Sequence, residues 1–269
     1  MKDKVVVITG GTSGIGRALA ATFGNRGSKV FITGRNQEAL DKTVAELSAE
    51  QIIVRGILAD SASEADNIRM VDTVIAEAGR LDVLICNAGI SMRALFEEVT
   101  MDAFRRVMDI NFYGTVYATK YALPHLLASK GSLVGISSIN GRRSTPARSA
   151  YSASKFAMEG LLETIRTEVM DRGMHVLSVC PGFTASEIRK KALNAAGEQQ
   201  LTSPREESKM MTAEEVAELV YRAVARRKRD LVITLQGKVA VWLNKLFPSL
   251  ADRVVYNVMK KEEGSPLRH

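Results

Sequence analysis

The first thirty residues restrict the fold more than any other part of this 269-residue chain. Residues 4–9 (KVVVIT) form a short apolar run rich in β-branched residues, which predicts a buried strand of a parallel sheet. The run leads directly into a glycine-rich turn at residues 10–16 (GGTSGIG), and a helical pattern continues from there to Gly27. A strand that passes through such a turn straight into a helix is typical of doubly wound α/β proteins.

The glycine-rich turn has the chemistry of a phosphate-binding loop. Gly10 permits a tight turn, Gly14 lets the backbone approach a pyrophosphate, and Gly16 allows the helix to pack closely on the strand. The amino terminus of the helix adds amide donors and a partial positive charge. We therefore predict that the turn binds a dinucleotide through Gly10, Thr12, Ser13, Gly14, Ile15 and Gly16.

The end of the second predicted strand indicates which dinucleotide binds. A site for NAD(H) places Asp or Glu there to bind the ribose 2′-hydroxyl. This strand (KVFIT, residues 29–33) instead leads into Gly34 and Arg35, with the hydroxyls of Thr12 and Ser13 available from the turn. A cation and hydroxyls without a carboxylate suit a 2′-phosphate, so the sequence favours NADP(H). A solvated surface arginine is the alternative interpretation of Arg35.

A second motif has the residues of a proton-transfer site. Tyr151 and Lys155 are four residues apart, which places them on one face of a helix that begins near Ala150. A nearby ammonium is expected to lower the pKa of the phenol from its ordinary value near ~10, so that Tyr151 acts as an acid or base near neutral pH. Ser138, thirteen residues before the tyrosine, is expected to hydrogen-bond the substrate oxygen.

These motifs together resemble those of the short-chain dehydrogenases/reductases, from about Lys4 to the turn at Pro181 and Gly182. The tetrapeptide Cys86-Asn87-Ala88-Gly89 is similar to the Asn-Asn-Ala-Gly of that family, with cysteine in place of the first asparagine. The resemblance implies four catalytic residues, namely Asn111, Ser138, Tyr151 and Lys155. It also implies further cofactor-binding residues, namely Asp60, Asn87, Ala88, Gly89, Tyr151, Lys155, Pro181, Gly182 and Thr184.

The resemblance implies an enzyme that interconverts a ketone and a secondary alcohol with NADP(H). Lys155 is expected to hold the nicotinamide ribose, Tyr151 to exchange a proton with the substrate oxygen, and Ser138 to orient that oxygen. A protein that senses NADP(H) without turnover is the alternative from another class. The presence of Asn111, Ser138 and Tyr151 argues against it, because a sensor needs only Lys155 to bind the ribose. The four-residue spacing of tyrosine and lysine disfavours an enoyl reductase.

The rest of the chain continues the alternation of strands and helices. We predict one doubly wound Rossmann-type α/β domain over residues 1–235, with a mostly parallel seven-stranded sheet. The strands are expected at residues 4–9, 29–33, 52–57, 82–86, 131–136, 174–180 and 230–234. Long helices are expected over about 101–128 and 150–171, with Pro124 ending or kinking the first.

Residue usage argues against several other classes of protein. Cys86 and Cys180 lie near the ends of predicted strands and are expected to be buried free thiols in a reducing compartment. The three histidines are scattered, so we predict no metal site. Because no apolar stretch has transmembrane length, we expect a cytoplasmic protein.

The carboxyl-terminal extension, residues 236–269, is basic, and the excess positive charge of the chain lies in it and in the segment just before it, residues 225–229. Eleven Lys/Arg against four Asp/Glu from Arg222 onward account for the whole net charge of +7. Val239, Trp242, Leu243 and Leu246 recur at helical spacing, and a second apolar stripe lies between residues 250 and 259. Two basic amphipathic helices suit a membrane interface. The favoured alternative is packing on a partner subunit or over the substrate pocket. Nucleic acid is not expected as a partner, because no recognisable binding module accompanies the charge.

The resemblance implies that residues 183–211 are the substrate lid, and this segment contains apolar residues, namely Ala185, Ile188, Ala192, Leu193, Leu201, Met210 and Met211. Together with Ile90, Met92, Leu95 and Phe183 they favour a lipophilic carbonyl substrate, as in the resembling branch of hydroxysteroid dehydrogenases and lipid-keto reductases. Four arginines are candidates for an anionic head group or are solvated loop charges, namely Arg93, Arg142, Arg143 and Arg148. A homodimer or homotetramer is implied by the resemblance, through the two long central helices.

Overall fold

Seven parallel strands form the centre of the protein, as the sequence predicts. The structure is a computed structural model, and it describes residues 1–184, 188–189, 191–200, 210–262 and 264–268. Every pair of neighbouring strands is parallel, in the order β3-β2-β1-β4-β5-β6-β7. The strands are β1 (Val5–Ile8), β2 (Lys29–Gly34), β3 (Val54–Leu58), β4 (Val83–Cys86), β5 (Ser132–Ile136), β6 (His175–Cys180) and β7 (Asp230–Val232).

Helices cover both faces of this sheet, which is why its inner strands are apolar on both sides. Val6 and Ile8 of β1 belong to a core with α1, α2 and α7, whereas Val5 and Val7 belong to a second core with α3, α5 and α6. The helices are α1 (Gly14–Gly24), α2 (Gln37–Ala49), α3 (Glu64–Ala78), α4 (Met101–Met108), α5 (Gly114–Ala128), α6 (Ser149–Glu168), α7 (Ala213–Ala225), α8 (Leu235–Leu246) and α9 (Pro248–Lys260).

The strand order reverses between β1 and β4, and this reversal positions the site. The chain runs outward from β1 through β2 to β3 on one side, and from β4 through β5 to β7 on the other. Ligands of doubly wound sheets bind in the crevice that such a reversal opens at the carboxyl ends of the strands. The glycine-rich turn follows β1 directly and therefore begins at this crevice.

The long helix predicted over about residues 101–128 contains a π-helical turn. The five residues Asp109–Tyr113 form this turn between α4 and α5, and Asn111 lies at its centre. Such turns within α-helices occur frequently at functional sites. Pro124 does not end α5, which continues to Ala128.

A buried carboxylate joins the amino ends of β1 and β4. Asp82 is 3% exposed and accepts hydrogen bonds from Lys4 Nζ (2.9 Å), the Val5 amide (3.0 Å) and Arg80 Nη2 (2.6 Å). Burial alone raises the pKa of Asp82, but the hydrogen bonds from Arg80, Val5 and Lys4 and the charge of Lys4 outweigh it and hold the pKa below its usual value. The carboxylate is thus ionised where the strands meet.

The carboxyl-terminal helices α8 and α9 lie beside the ends of β6 and β7. An ion pair of 2.8 Å between Arg143 and Asp252 ties α9 to the segment that follows β5. A Cβ on Gly182 would lie 2.5 Å from Thr234 Oγ1, so the start of α8 closely approaches the turn after β6. In the described part of the chain, no helix is both long and apolar enough to cross a membrane.

Candidate active site

One large cavity of about 790 Å³ lies at the carboxyl ends of the central strands. Its volume is typical of small-molecule sites. The structure brings nearly all of the predicted site residues into its lining. These are Gly10, Thr12, Ser13, Gly14, Ile15, Gly16, Arg35, Asp60, Asn87, Ala88, Gly89, Ser138, Tyr151, Lys155, Pro181, Gly182 and Thr184. Asn111 is the exception, because it lies behind the cavity wall.

The glycine-rich turn is shaped for close approach. Gly10 and Gly14 have φ angles of +66° and +51°, which side chains other than glycine rarely adopt. A Cβ on Gly10 would lie 2.9 Å from Ala88 Cα, and one on Gly16 would collide with the Gly10 carbonyl oxygen. Helix α1 has no acidic residue in its first turn and no side-chain cap on its amino terminus. Its first amides thus provide donors without a competing carboxylate.

Thr9 and Asn87 fix the turn against β4. The Thr9 hydroxyl accepts hydrogen bonds from the amides of Asn87 and Ala88, each at 3.0 Å. The side-chain amide of Asn87 donates to the carbonyls of Thr9 (2.9 Å) and Gly10 (3.0 Å). Both donors of Asn87 are therefore used within the protein, and the side chain shapes the turn from behind.

The end of β2 places a positive charge at the edge of the cavity. Arg35 is exposed and lines the cavity beside Thr12 and Ser13. A Cβ on Gly34 would lie 2.6 Å from Thr12 Cγ2, so the turn and the strand end are in contact. Asp60, after β3, also lines the cavity, and its carboxylate accepts from the Ala62 amide at 3.0 Å.

Ser138 and Tyr151 meet at the inner end of the cavity. Ser138 caps the 3₁₀ turn Ile139–Gly141, and its hydroxyl accepts from the Asn140 amide at 3.1 Å. Tyr151 lies in the first turn of α6. Burial raises the pKa of Tyr151, while a hydrogen bond with Ser138 and the charge of Arg148 act in the opposite direction without reversing the rise.

The predicted lowering of the Tyr151 pKa is therefore wrong. The reason is the burial of the phenol, which the ammonium of Lys155 does not offset. Lys155 Nζ lies 5.9 Å from the centroid of the Tyr151 ring and donates a 2.8 Å hydrogen bond to the Ile136 carbonyl. Lys155 is itself buried, and this burial lowers its pKa to about 8 in spite of the negative charge of Glu159.

Asn111 supports the cavity wall. Its side chain accepts from the Ile90 amide at 2.8 Å and donates to the Ile90 carbonyl at 2.9 Å and to Ser154 Oγ at 3.0 Å. Ile90 lines the cavity, and Ser154 lies next to Lys155 on α6. The π-helical turn thus connects the loop after β4 to the helix that carries the tyrosine and lysine.

Glu159 is a residue of the site that the sequence analysis missed. It lies one turn after Lys155 and accepts hydrogen bonds from Ser178 Oγ (2.7 and 2.8 Å) and from Cys180 Sγ (3.2 Å). Arg142 Nη2 lies 2.7 Å from the Glu159 carboxylate. The spacing of Tyr151, Lys155 and Glu159 along one helical face was the available signal, whereas the partners come from distant segments.

The carboxyl-terminal helices form a wall of the cavity. Residues of α8 and α9 line it, together with Thr234 before α8; they are Gln236, Gly237, Ala240, Val254, Val255, Val258 and Met259. The residues of the proposed lid that line the cavity are Phe183, Thr184, Ile188, Arg189 and Lys191. Residues 185–187, 190 and 201–209 of that segment lie outside the described residues. The favoured interpretation was packing on a partner subunit or over the pocket, and the position of α9 agrees with packing over the pocket.

The four candidate arginines have protein partners. Arg143 and Arg148 line the cavity, and Arg148 donates to Ser91 Oγ and the Met92 carbonyl, each at 3.0 Å. Arg142 lies 2.7 Å from both Glu159 and Asp230, and Arg93 lies 3.9 Å from Glu262. The solvated-loop interpretation is wrong for Arg143, which is 9% exposed.

Both cysteines are free and buried, as predicted. Burial raises the pKa of each thiol to about 12, so neither is a thiolate near neutral pH. Within the described ranges, no three His, Cys, Asp or Glu side chains form a group suited to a metal ion. His269 lies outside the described residues.

Comparison with known proteins agrees with this geometry. A family model described as short chain dehydrogenase matches residues 4–197. The mouse (Mus musculus) protein named dehydrogenase/reductase SDR family member 7B is 35% identical over 274 residues, which cover 98% of this chain and 84% of the mouse protein. The similarity therefore extends through the carboxyl-terminal helices as well as the sheet.

Solved structures share the fold. A short chain dehydrogenase/reductase from Burkholderia phymatum in complex with NAD has a TM-score of 0.83 at 24% identity, covering 93% of this chain and 95% of that protein. An alcohol dehydrogenase from the archaeon Thermococcus sibiricus, complexed with 5-hydroxy-NADP, has a TM-score of 0.76 at 23% identity, covering 86% and 96%. The family model, the extended similarity to the mouse protein and the shared fold show that this chain belongs to the short-chain dehydrogenase/reductase family of oxidoreductases.

Proposed function

We propose that the protein is an NADP(H)-dependent oxidoreductase that interconverts a ketone and a secondary alcohol on a bulky, lipophilic substrate. The observation that carries this proposal is one cavity lined both by the glycine-rich turn and by Ser138, Tyr151 and Lys155. A nicotinamide dinucleotide supplies the hydride for such a reaction, and the protein supplies binding, orientation and proton transfer.

The cavity suits a dinucleotide because glycines leave space in its lining and the first backbone amides of α1 are hydrogen-bond donors. Gly10 and Gly14 line the cavity without side chains where a pyrophosphate would approach the amino terminus of α1, and Gly16 lets α1 pack closely on the turn. The turn after β6, Pro181 and Gly182, lines the same cavity near Tyr151. These residues would hold the two ends of the cofactor.

The raised pKa of Tyr151 suits the reduction of a ketone. At pH 7 its phenol is neutral, so its proton is available to the substrate oxygen when hydride reaches the carbonyl carbon. Lys155, with a pKa of about 8, is mostly an ammonium at this pH and would stabilise the phenolate that forms. Ser138 would hydrogen-bond the same substrate oxygen. In the oxidation of an alcohol, Tyr151 would take the proton back.

NADP(H) is the proposed cofactor because of the charge at the end of β2. Arg35 lines the cavity with Thr12 and Ser13, and the strand end carries no carboxylate. The two structural neighbours bind an NAD and an NADP derivative, so the fold accommodates either dinucleotide. The local charge is therefore the basis of the preference.

We expect Arg35→Asp to raise the Kd for NADPH by about 10- to 100-fold, since charge-assisted hydrogen bonds contribute about 1.5–3 kcal/mol. The Kd for NADH should rise far less or fall. Fluorescence titration of both cofactors measures this change, and Lys42→Asp on the exposed side of α2 is the matched control. An unchanged ratio of the two Kd values would show that Arg35 does not determine the preference for NADPH.

The lipophilic substrate is proposed from the walls of the cavity beyond the polar residues. Phe183, Ile188, Val255 and Met259 line this part, with contributions from α8 and α9. Apolar walls around a few polar groups are typical of sites for apolar small molecules. The proposed location is the cytoplasm, supported by the two buried free thiols.

Turnover distinguishes this enzyme from a sensor of NADP(H). NADPH consumption should be measured against a panel of aliphatic, aryl and polycyclic ketones, for the wild type and for Tyr151→Phe. We expect turnover of apolar ketones that falls by about 10²- to 10⁴-fold in the variant, as for loss of a general acid, with NADPH affinity retained. Tight NADPH binding without turnover of any ketone would favour the sensor.

A further inference from the structure

Helix α8 presents a continuous apolar stripe to the exterior. Leu235, Val239, Trp242 and Leu246 follow the spacing i, i+4, i+7 and i+11, which places them on one face of the helix. Each of the four is more than half exposed, from 53% at Leu246 to 77% at Leu235. Four large apolar side chains adjacent on one helix form an exposed patch, and such patches mark interaction sites.

Helix α9 continues this stripe to the mouth of the cavity. Leu250, Val254 and Val258 are 51%, 43% and 50% exposed at intervals of four residues. Val254 and Val258 also line the cavity. Phe247, between the two helices, is 54% exposed. The apolar exterior and the apolar interior of the site therefore meet at α9.

Positive charge surrounds this apolar surface. The exposed ionisable residues of α8, α9 and Lys261 include five cations, namely Lys238, Lys245, Arg253, Lys260 and Lys261. Their one exposed acid, Asp252, is paired with Arg143 at 2.8 Å. Lys238 and Lys245 stand on one flank of the α8 stripe, and Arg253 and Lys260 on the corresponding flank of α9.

We propose that this α8–α9 surface docks on an anionic lipid bilayer, with Trp242 and Leu246 in the interface and the lysines at the headgroups. A tryptophan and aliphatic residues beside cations are the composition of interfacial helices. The same cations oppose pairing of this surface with its copy in an antiparallel symmetric dimer, because the two basic flanks would then lie on the same side of the contact. If the proposed function also holds, a lipophilic substrate would reach the cavity past Val254 and Val258.

Flotation of the full-length protein with lipid vesicles tests the docking without any need for turnover. We expect binding to vesicles of phosphatidylcholine with 30% phosphatidylserine, on the order of the anionic content of cytoplasmic membrane leaflets. Binding should weaken strongly to vesicles of pure phosphatidylcholine, which carry no net charge. It should also weaken at about 0.5 M salt, because the Debye length is then short and the electrostatic attraction is screened. Absence of binding to the anionic vesicles at low salt would overturn the proposal.

Matched variants identify the surface that binds. Trp242→Glu should lower the vesicle partition coefficient at least tenfold, whereas Met170→Glu, 68% exposed at a 3₁₀ turn before β6, should leave it unchanged. Lys245→Glu should lower it several-fold, as about 1 kcal/mol per cation near an anionic surface implies; Lys42→Glu on α2 is its control. Equal losses in test and control variants contradict the proposal.

Light scattering distinguishes lipid from a second copy as the occupant. The mass of the protein in solution should be the same for the wild type and Trp242→Glu. A wild-type oligomer that dissociates in Trp242→Glu would assign the surface to subunit contact and overturn the lipid proposal. Circular dichroism of each variant reports whether it is folded. We expect every variant to be folded, because the substituted side chains are exposed.

Discussion

At the scale of single residues, burial is the largest influence on the pKa values of both Tyr151 and Lys155. Burial raises the pKa of the phenol and lowers that of the ammonium to about 8. Sequence spacing placed both residues on one helical face, and the structure agrees. The expected direction of the Tyr151 pKa was wrong, because the spacing of two residues contains no information about desolvation.

Glu159 is expected to set the charge state of Lys155. Its carboxylate raises the lysine pKa against the larger effect of burial. In Glu159→Gln the pKa of Lys155 should therefore fall below about 8, and the alkaline limb of the kcat/KM profile for ketone reduction should move to lower pH. A purely structural role would lower the rate without moving that limb.

Glu163→Gln is the matched control for this measurement. Glu163 lies one turn farther along α6, is 66% exposed at its side chain, and pairs with Arg229 at 2.9 Å. Its pH profile should coincide with that of the wild type. If the alkaline limb of Glu159→Gln stays where it is in the wild type and only the rate falls, Glu159 does not raise the pKa of Lys155.

At the scale of elements, the strands were predictable and the central helix was not predictable in detail. Runs such as residues 4–9 are short, apolar and β-branched, so their pattern defines a buried parallel strand. The π-helical turn at Asp109–Tyr113 has no such signature. The hydrogen bonds between Asn111 and Ile90 that accompany it join residues 21 apart in sequence.

Asp82 is expected to stabilise the junction of β1 and β4. Asp82→Asn should lower the free energy of unfolding at pH 7 by about 1–3 kcal/mol, because a buried charge pair is broken while Lys4 and Arg80 remain partly solvated. The folded-state pKa of Asp82 is lowered. Its contribution is therefore present above the unfolded value of 3.8 and lost as the pH falls through the folded value.

Urea unfolding at pH 7 and at pH 3.5 measures this contribution. The difference between the wild type and Asp82→Asn should shrink at the lower pH. Asp72→Asn, at an exposed position of α3, should match the wild type at both values. A difference that stays constant with pH would mean that the carboxylate charge is not the stabilising feature.

At the scale of the whole molecule, one face of α6 has the features of a subunit contact. Ala153, Phe156 and Gly160 are exposed in consecutive turns, and Phe156 is 45% exposed. Apart from the backbone of α6 itself, no atom of the described residues lies within 4 Å of a Cβ built on Gly160, so another helix has room to approach. The family resemblance implies an oligomer through this region, and we expect α6 to pack on its copy.

Phe156→Glu is then expected to shift a dimer or tetramer towards the monomer, because it places a charge in an apolar contact. Sedimentation velocity over a range of concentrations measures the shift. Ile53→Glu, 65% exposed beside β3, is the control. Identical sedimentation of the wild type and Phe156→Glu would remove this face of α6 from the contact.

The fold, the glycine-rich turn and the residues around Tyr151 were predictable because each depends on local patterns. The position of α8 and α9 could not be predicted from the sequence, which left three interpretations of the carboxyl-terminal extension. Its position depends on long-range contacts, such as the ion pair of Arg143 and Asp252, which lie 109 residues apart. The network of Glu159 likewise joins α6 to β6 and to Arg142.

Isotopic labelling shows whether hydride is transferred to a carbonyl carbon within this cavity. The protein should be incubated with a ketone that it consumes and with NADPH deuterated at either face of C4, and the alcohol analysed by mass spectrometry. With the wild type, we expect one deuterium on the carbinol carbon from one of the two labelled cofactors. With Tyr151→Phe, we expect negligible alcohol. Alcohol without deuterium from either cofactor, or full turnover by Tyr151→Phe, would contradict the proposed function.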